Sequence, residues 1–198
     1  MTENIHPIFD NILGRKEKED ILNQNAVVIW MTGLSGSGKS TIARGLESKL
    51  HRQGILTKLL DGDNLRTGLN KNLGFSEDDR IENIRRVAET AKLFLDNGTV
   101  VICSFVSPTI IIRDMAAEII GRNDFLEVMV EASFDECAKR DVKGLYKKAL
   151  SGEIKNFTGL DAPFELPEEP FLNIDTEKLS IDESIELLYQ AVINRIKE

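Results

Sequence analysis

The stretch "AVVIWMTGLSGSGKST", residues 26–41, decides how the rest of the chain is read. It opens with an apolar run rich in β-branched residues, the signature of a buried strand. The run breaks at Gly33. From Gly33 to Thr41 the sequence GLSGSGKST matches G-x-x-x-x-G-K-[ST] in full. Ile42, Leu46 and Leu50 follow at helical spacing. A strand, a glycine-rich loop and a helix in that order are the context that gives the motif its meaning. Gly33, Gly36 and Gly38 let the backbone curl, so that amides around Leu34, Ser35 and Ser37 face a phosphate. The helix N-terminus adds a favourable dipole. Lys39 is expected to reach the β and γ phosphates of a nucleotide, and Ser40 to bind Mg²⁺ through its hydroxyl, with Thr41 closing the motif.

Working outward, strands and helices alternate. "ILTKLL" (residues 55–60) reads as a second strand, preceded by Gly54 as helix terminator. Ser76 caps a long helix whose apolar face is Ile81, Ile84, Ala88, Ala91 and Leu95. Glu82 and Arg86 pair on its exposed side. Asn97-Gly98 ends it, and "VVICSF" is a third strand. Ser107-Pro108 reads as N-cap and first helical position. "FLEVMVE" is a fourth strand, followed by a capping box from Ser133. "FLNID" is a fifth, before a last helix capped at Ser180 with Ile181, Ile185, Leu188, Val192 and Ile196 as its stripe. The pattern implies an α/β fold: a five-stranded parallel sheet with helices on both faces. Residues 1–25 form a polar lead-in with a helix around residues 16–22. Residues 26–198 form one domain. Residues 143–170, rich in Lys, Gly, Pro and Glu, read as a mobile excursion.

The loop alone leaves the reaction open. A GTPase needs an Asn-Lys-x-Asp signature; the nearest stretch, "NKNL" at residues 70–73, lacks the aspartate and comes too early. A motor ATPase needs a carboxylate at the end of a central strand. The candidate strand ends Cys103-Ser104-Phe105. "DGDNLRTGLN", residues 61–70, supplies the missing charge. If the second strand persists, Asp61 and Asp63 lie on one side at the carboxyl edge of the sheet, where open α/β sheets bind ligands. There they can hold Mg²⁺ through water and take a proton from an attacking hydroxyl. Arg66, Arg80, Arg85 and Arg86 near that edge point to an anionic acceptor. Two loop phenylalanines, Phe75 and Phe157, can clamp a planar base.

Composition narrows the classes. The 198 residues carry 33 acidic against 25 basic side chains, a formal net charge of −8. That argues against bulk binding to nucleic acid or to an anionic membrane. No run reaches membrane-spanning length, and "MTENIHPIFDN" lacks the features of a signal peptide. Cys103 and Cys137 fit no metal or redox spacing, so a reduced cytoplasmic protein is expected.

GLSGSGKST, DGDNLR-x-GLN, LGFS, DR-x-ENIRR, SFVSP, RDVKGLYKKA and NFTG together resemble adenylylsulfate kinase (APS kinase), from Val27 onward. The resemblance implies a P-loop kinase that turns ATP and adenosine 5′-phosphosulfate (APS) into ADP and 3′-phosphoadenosine 5′-phosphosulfate (PAPS). It implies that Asp63, Asn64, Arg66, Phe75, Arg80, Asn83, Lys143 and Phe157 hold the acceptor, with the two phenylalanines sandwiching its adenine. Cys137 and Arg140 match positions near the ATP adenine, and residues 143–170 match a lid. Lys39, Asp61 and Asp63 carry the chemistry. Ser107 matches a serine phosphorylated in some members, although the residues alone read it as a cap. A homodimer and an ATP sulfurylase supplying the substrate are further implications. The chain departs from the family pattern at Thr67 (often histidine) and Thr109 (often aromatic or histidine). Another small-molecule P-loop kinase and a nucleotide-dependent switch are the alternatives.

Overall fold

A computed structural model describes residues 4–8 and 11–197. Part of the lead-in, residues 1–3 and 9–10, lies outside the described residues. The elements run α1 (Arg15–Leu22), β1 (Val28–Thr32), α2 (Lys39–Arg52), β2 (Thr57–Asp61), α3 (Gly62–Arg66), α4 (Glu77–Leu95), β3 (Val100–Ser104), α5 (Ile110–Ile120), β4 (Phe125–Glu131), α6 (Phe134–Arg140), α7 (Leu145–Leu150), β5 (Leu172–Asp175) and α8 (Ile181–Lys197). All five strands are parallel, in the order β2-β3-β1-β4-β5. After β1 the chain moves to one side of the sheet, and after β3 to the other. The loops that follow these two neighbouring strands therefore diverge at a switch point, where such sheets bind ligands.

Strand alternation sorts the core into two layers. Ile29 and Met31 pack with Ile42, Leu46 and Leu50 of α2 and Leu188, Val192 and Ile196 of α8. Val28 and Trp30 face the other way, against Ile84, Val87, Ala88 and Ala91 of α4 and Ile112 and Ala116 of α5. The two-sided cover expected from the pattern is present. Two stripe residues differ from expectation. Ile81 is exposed, and Val87 takes a core place on α4. Ile181, in the first turn of α8, is also exposed. Each lies at or near a helix start, before the helix reaches the sheet.

The excursion is more ordered than its composition implied. It contains α7, and Tyr146, Ala149 and Phe157 are buried with Leu34, Ala132 and Cys137 in a third cluster. Within the lead-in, α1 is tied down at the amino end of the sheet. Arg15 pairs with Asp124 at 2.7 Å, and the Glu19 carboxylate accepts the Ala26 N–H at 2.7 Å.

Candidate active site

The loop between β1 and α2 has the backbone its glycines permit: Gly33, Gly36 and Gly38 all have positive φ. A side chain at Gly33 would collide with the Val130 carbonyl, so the loop lies against the end of β4. The first amides of α2 have no acceptor within the helix, which makes its N-terminus an anion cradle. Lys39 is only 7% exposed. Its ammonium donates to the carbonyls of Gly33 (2.9 Å) and Leu34 (2.7 Å). Burial lowers its pKa from 10.5 to about 8.

Three oxygen donors converge beside this loop. The Ser40 hydroxyl donates to Asp61 Oδ2 at 2.7 Å and lies 3.2 Å from the Ser104 hydroxyl. The parallel register sets Asp61 opposite Ser104. A carboxylate and two hydroxyls are hard ligands of the kind Mg²⁺ and its water shell take, so these residues fit the ion. Ser104 was not expected from the sequence. The available signal was a polar residue closing an otherwise apolar strand.

The alternation argument for Asp61 and Asp63 does not hold. The strand stops at Asp61, whose carboxylate caps α3 by accepting the Asp63 N–H at 3.1 Å. Asp63 is therefore presented by a helical turn. Its carboxylate pairs with Lys143, across 80 residues of chain. Two residues expected at one site are thus joined directly. Asn64 is exposed on the same turn.

Arg66 and Arg80, both expected on the acceptor side, bond to nearby loop carbonyls. Arg66 donates to the carbonyls of Leu73 and Gly74, both at 3.0 Å, and its guanidinium sits 4.2 Å from the centre of the Phe75 ring. Arg80 donates to the Phe75 carbonyl at 3.1 Å, to Thr158 Oγ1 at 2.6 Å and to the Asn156 carbonyl. It therefore bridges the Phe75 loop and the Phe157 segment. Burial lowers the pKa of both arginines, and for Arg66 the nearby charge of Arg80 adds to this. Both guanidiniums stay charged, with the carboxylates of Asp79 and Asp63 near Arg66 and that of Asp161 near Arg80. Arg85 and Arg86 are committed elsewhere, both to Glu82 at 2.7 Å. Asn83 is buried and accepts from Asn70 Nδ2 at 3.0 Å, while Asn70 Oδ1 has no partner among the described residues.

The expected pair of phenylalanines is unequal. Phe75 is 66% exposed, as a stacking platform needs to be. Phe157 is 8% exposed and packs edge-on against Tyr146, with ring centres 4.9 Å apart. Its side chain fills the third cluster and does not lie free as half of a clamp. A cavity of about 500 Å³, lined by Leu34 and residues 159–164, opens next to that segment.

Ser107 is not a helix cap. The helix begins at Ile110 with Thr109 as N-cap. Ser107 is 2% exposed and its backbone has φ +37°. Its hydroxyl accepts from Trp30 Nε1 at 3.1 Å and donates to Thr32 Oγ1 at 3.0 Å. Its carbonyl accepts from the buried Arg113 at 2.9 Å. The buried indole N–H thus finds its acceptor in this serine, as does one nitrogen of the Arg113 guanidinium, while Glu127 pairs with another. Cys137 is buried and contacts the loop's underside, where its backbone crowds Gly36. Arg140 donates to the Gly36 and Ser37 carbonyls at 3.4 Å and to Thr176 Oγ1 at 3.0 Å. Thr176, just past β5, is a second neighbour of the loop that the sequence did not single out.

The comparisons agree on one family. The family described as Adenylylsulphate kinase matches residues 25–175. An adenylyl-sulfate kinase of Bacteroides thetaiotaomicron is 59% identical over 195 residues, 98% of this chain and 97% of its own length. One from Clostridium acetobutylicum is 54% identical over 180 residues, 89% of this chain and 90% of its own length. Among solved structures, the Mycobacterium tuberculosis APS kinase CysC in complex with AMPPNP and APS superposes with a TM-score of 0.82. It is 43% identical, covering 85% of this chain and 98% of that one.

Proposed function

The chain belongs to the adenylylsulfate kinase family, and on that premise we propose how its residues divide the work of phosphorylating the 3′-hydroxyl of APS. The reaction consumes ATP and yields ADP and PAPS, a step of sulfate assimilation. The loop 33–41 takes the triphosphate, with Lys39 turning from its own loop's carbonyls to the β and γ phosphates. Ser40, with Asp61 and Ser104 beside it, would hold Mg²⁺ directly or through water, and the ion would supply charge neutralisation on the phosphates when bound. Arg140, with Thr176, borders the loop on the side assigned to the ATP base.

On the acceptor side, Arg66 and Arg80 attract the phosphosulfate, with Asn64 and Asn83 nearby, and Phe75 receives the adenine on its exposed face. Asp63 orients the 3′-hydroxyl and accepts its proton as the γ-phosphoryl moves to the oxygen. Lys143, paired with Asp63, brings a second positive charge to the same place from the excursion, which acts as a lid. Transfer is direct. Ser107 has its hydroxyl engaged on both sides and buried, so it carries no phosphoryl group.

We further read the working form as a homodimer in the cytoplasm, with an ATP sulfurylase as the source of APS. Among the described residues no helix is long and apolar enough to cross a membrane.

The observation that carries the assignment is the Asp63–Lys143 pair set beside the Ser40–Asp61–Ser104 corner. Asp63→Asn tests it. PAPS formation is expected to fall by about 100-fold or more, with affinity for an ATP analogue nearly unchanged. PAPS formation near the wild-type rate would remove Asp63 from the chemistry.

A further inference from the structure

Tyr146 has no role in the mechanism above, yet it touches both halves of the site. It is buried, and its hydroxyl donates to the Ser35 carbonyl at 2.7 Å. Its ring packs edge-on against Phe157 at 4.9 Å and Phe134 at 5.1 Å. Its backbone N–H is fixed by the Asp141 carboxylate at 3.0 Å, as is that of Lys147. Burial pushes the phenol's pKa up, so the hydroxyl keeps its proton and remains a donor.

The geometry at Ser35 is the informative part. The Ser35 carbonyl and the Gly36 N–H belong to one planar trans peptide, so they point in opposite directions. Tyr146 holds the carbonyl and thereby fixes the N–H on the far side. A phosphate that takes this N–H polarises the same peptide unit and strengthens the bond to Tyr146. From Tyr146 the contacts run to Phe157, then through Arg80, which bonds Asn156 and Thr158, to the Phe75 carbonyl.

We propose that Tyr146 couples the two substrate sites, so that ATP on the glycine-rich loop steadies the Phe157–Arg80–Phe75 side and raises its affinity for APS. The inference rests on assigning the loop to ATP and the Arg80 side to APS. Coupling of this kind is reciprocal and spans roughly 5–150-fold in affinity.

The test uses calorimetry with the β,γ-imido analogue of ATP and with APS, each alone and then together. Wild-type protein binds APS more tightly once the analogue is bound. In Tyr146→Phe, which keeps the ring and removes the hydroxyl, that factor falls by about fivefold, the scale of one net hydrogen bond. Each ligand's affinity alone stays within about twofold. Phe134→Leu loosens the same cluster and spares the hydroxyl; it lowers Tm and keeps the coupling. A Tyr146→Phe protein with the wild-type factor overturns the inference, as does independent binding in the wild type. Wild-type protein that binds the analogue and not APS contradicts the acceptor assignment itself, which separates the two failures. A second measurement needs no variant. The analogue alone slows amide exchange across residues 145–158, and unchanged exchange there also overturns the coupling.

Discussion

At the scale of single residues, burial explains what the side chains can do. Ser107 looked like a cap because Ser-Pro so often starts a helix. In the fold its hydroxyl satisfies Trp30 and Thr32 instead. Ser107→Ala therefore costs about 1–3 kcal/mol of stability, the price of orphaning a buried donor, and leaves PAPS formation within a few-fold of wild type. A folded Ser107→Ala protein with no activity would restore a phosphoenzyme. Lys39 gives a pH prediction. Its folded pKa is about 8, against 10.5 when solvated. Between those values the unfolded chain binds more protons than the folded one, so this group's contribution favours folding as pH rises through that window. A bound triphosphate raises the lysine's pKa again. Binding of the ATP analogue at pH 8.5 should thus take up protons, seen calorimetrically as a heat that changes with buffer ionisation enthalpy. The uptake is expected to vanish in Lys39→Met; uptake equal in both proteins would contradict the burial argument.

Elements decide where those residues meet. The boundaries of β1, β3, β4 and β5 and both long helices were legible because apolar period and capping residues agree, as at Ser76, whose side chain accepts the Asp79 N–H at 3.2 Å. The site was legible in its motif residues and less so in its geometry. Period 2 carried Asp61 and Asp63 to the same side only while the strand lasted, and it ends at Asp61. Phe157 could be recognised as a loop aromatic, but its packing on Tyr146 depends on contacts distant in sequence. Arg80 is where α4 meets the excursion. Arg80→Ala should raise KM for APS about tenfold or more, since bonds from a charged donor are worth about 1.5–3 kcal/mol each, with a smaller change in KM for ATP. Equal changes for both substrates would remove Arg80 from the acceptor side. The α2–α8 contact provides a stability test. A Cβ at Gly45 would lie 2.7 Å from Ile185 Cγ1 and closer still to Cδ1. Overpacking costs about 1–3 kcal/mol, more than the ~1 kcal/mol that alanine gains in a helix. Gly45→Ala should therefore lower Tm, and adding Ile185→Val, which removes Cδ1, should recover part of the loss. A rise in Tm for the single variant would mean that α8 yields.

For the whole molecule, strand order places everything else. With β1 between β3 and β4, the loop after β1 lies beside Ser104 on one flank and the end of β4 on the other. β2, at the edge, delivers Asp61 in register with Ser104. The excursion after α6 then returns Lys143 to Asp63 and Tyr146 to Ser35. The loop 33–41 and the Arg66–Arg80 side thus sit at one sheet edge and are joined by one segment. The most direct test of this account follows ADP and PAPS together in purified protein supplied with Mg²⁺ and ATP, with and without APS. The account predicts ADP and PAPS in equal amounts when APS is present and only slow ADP release when it is absent. ADP release at the same rate without APS, or ADP formed with no 3′-phosphorylated product, would contradict it.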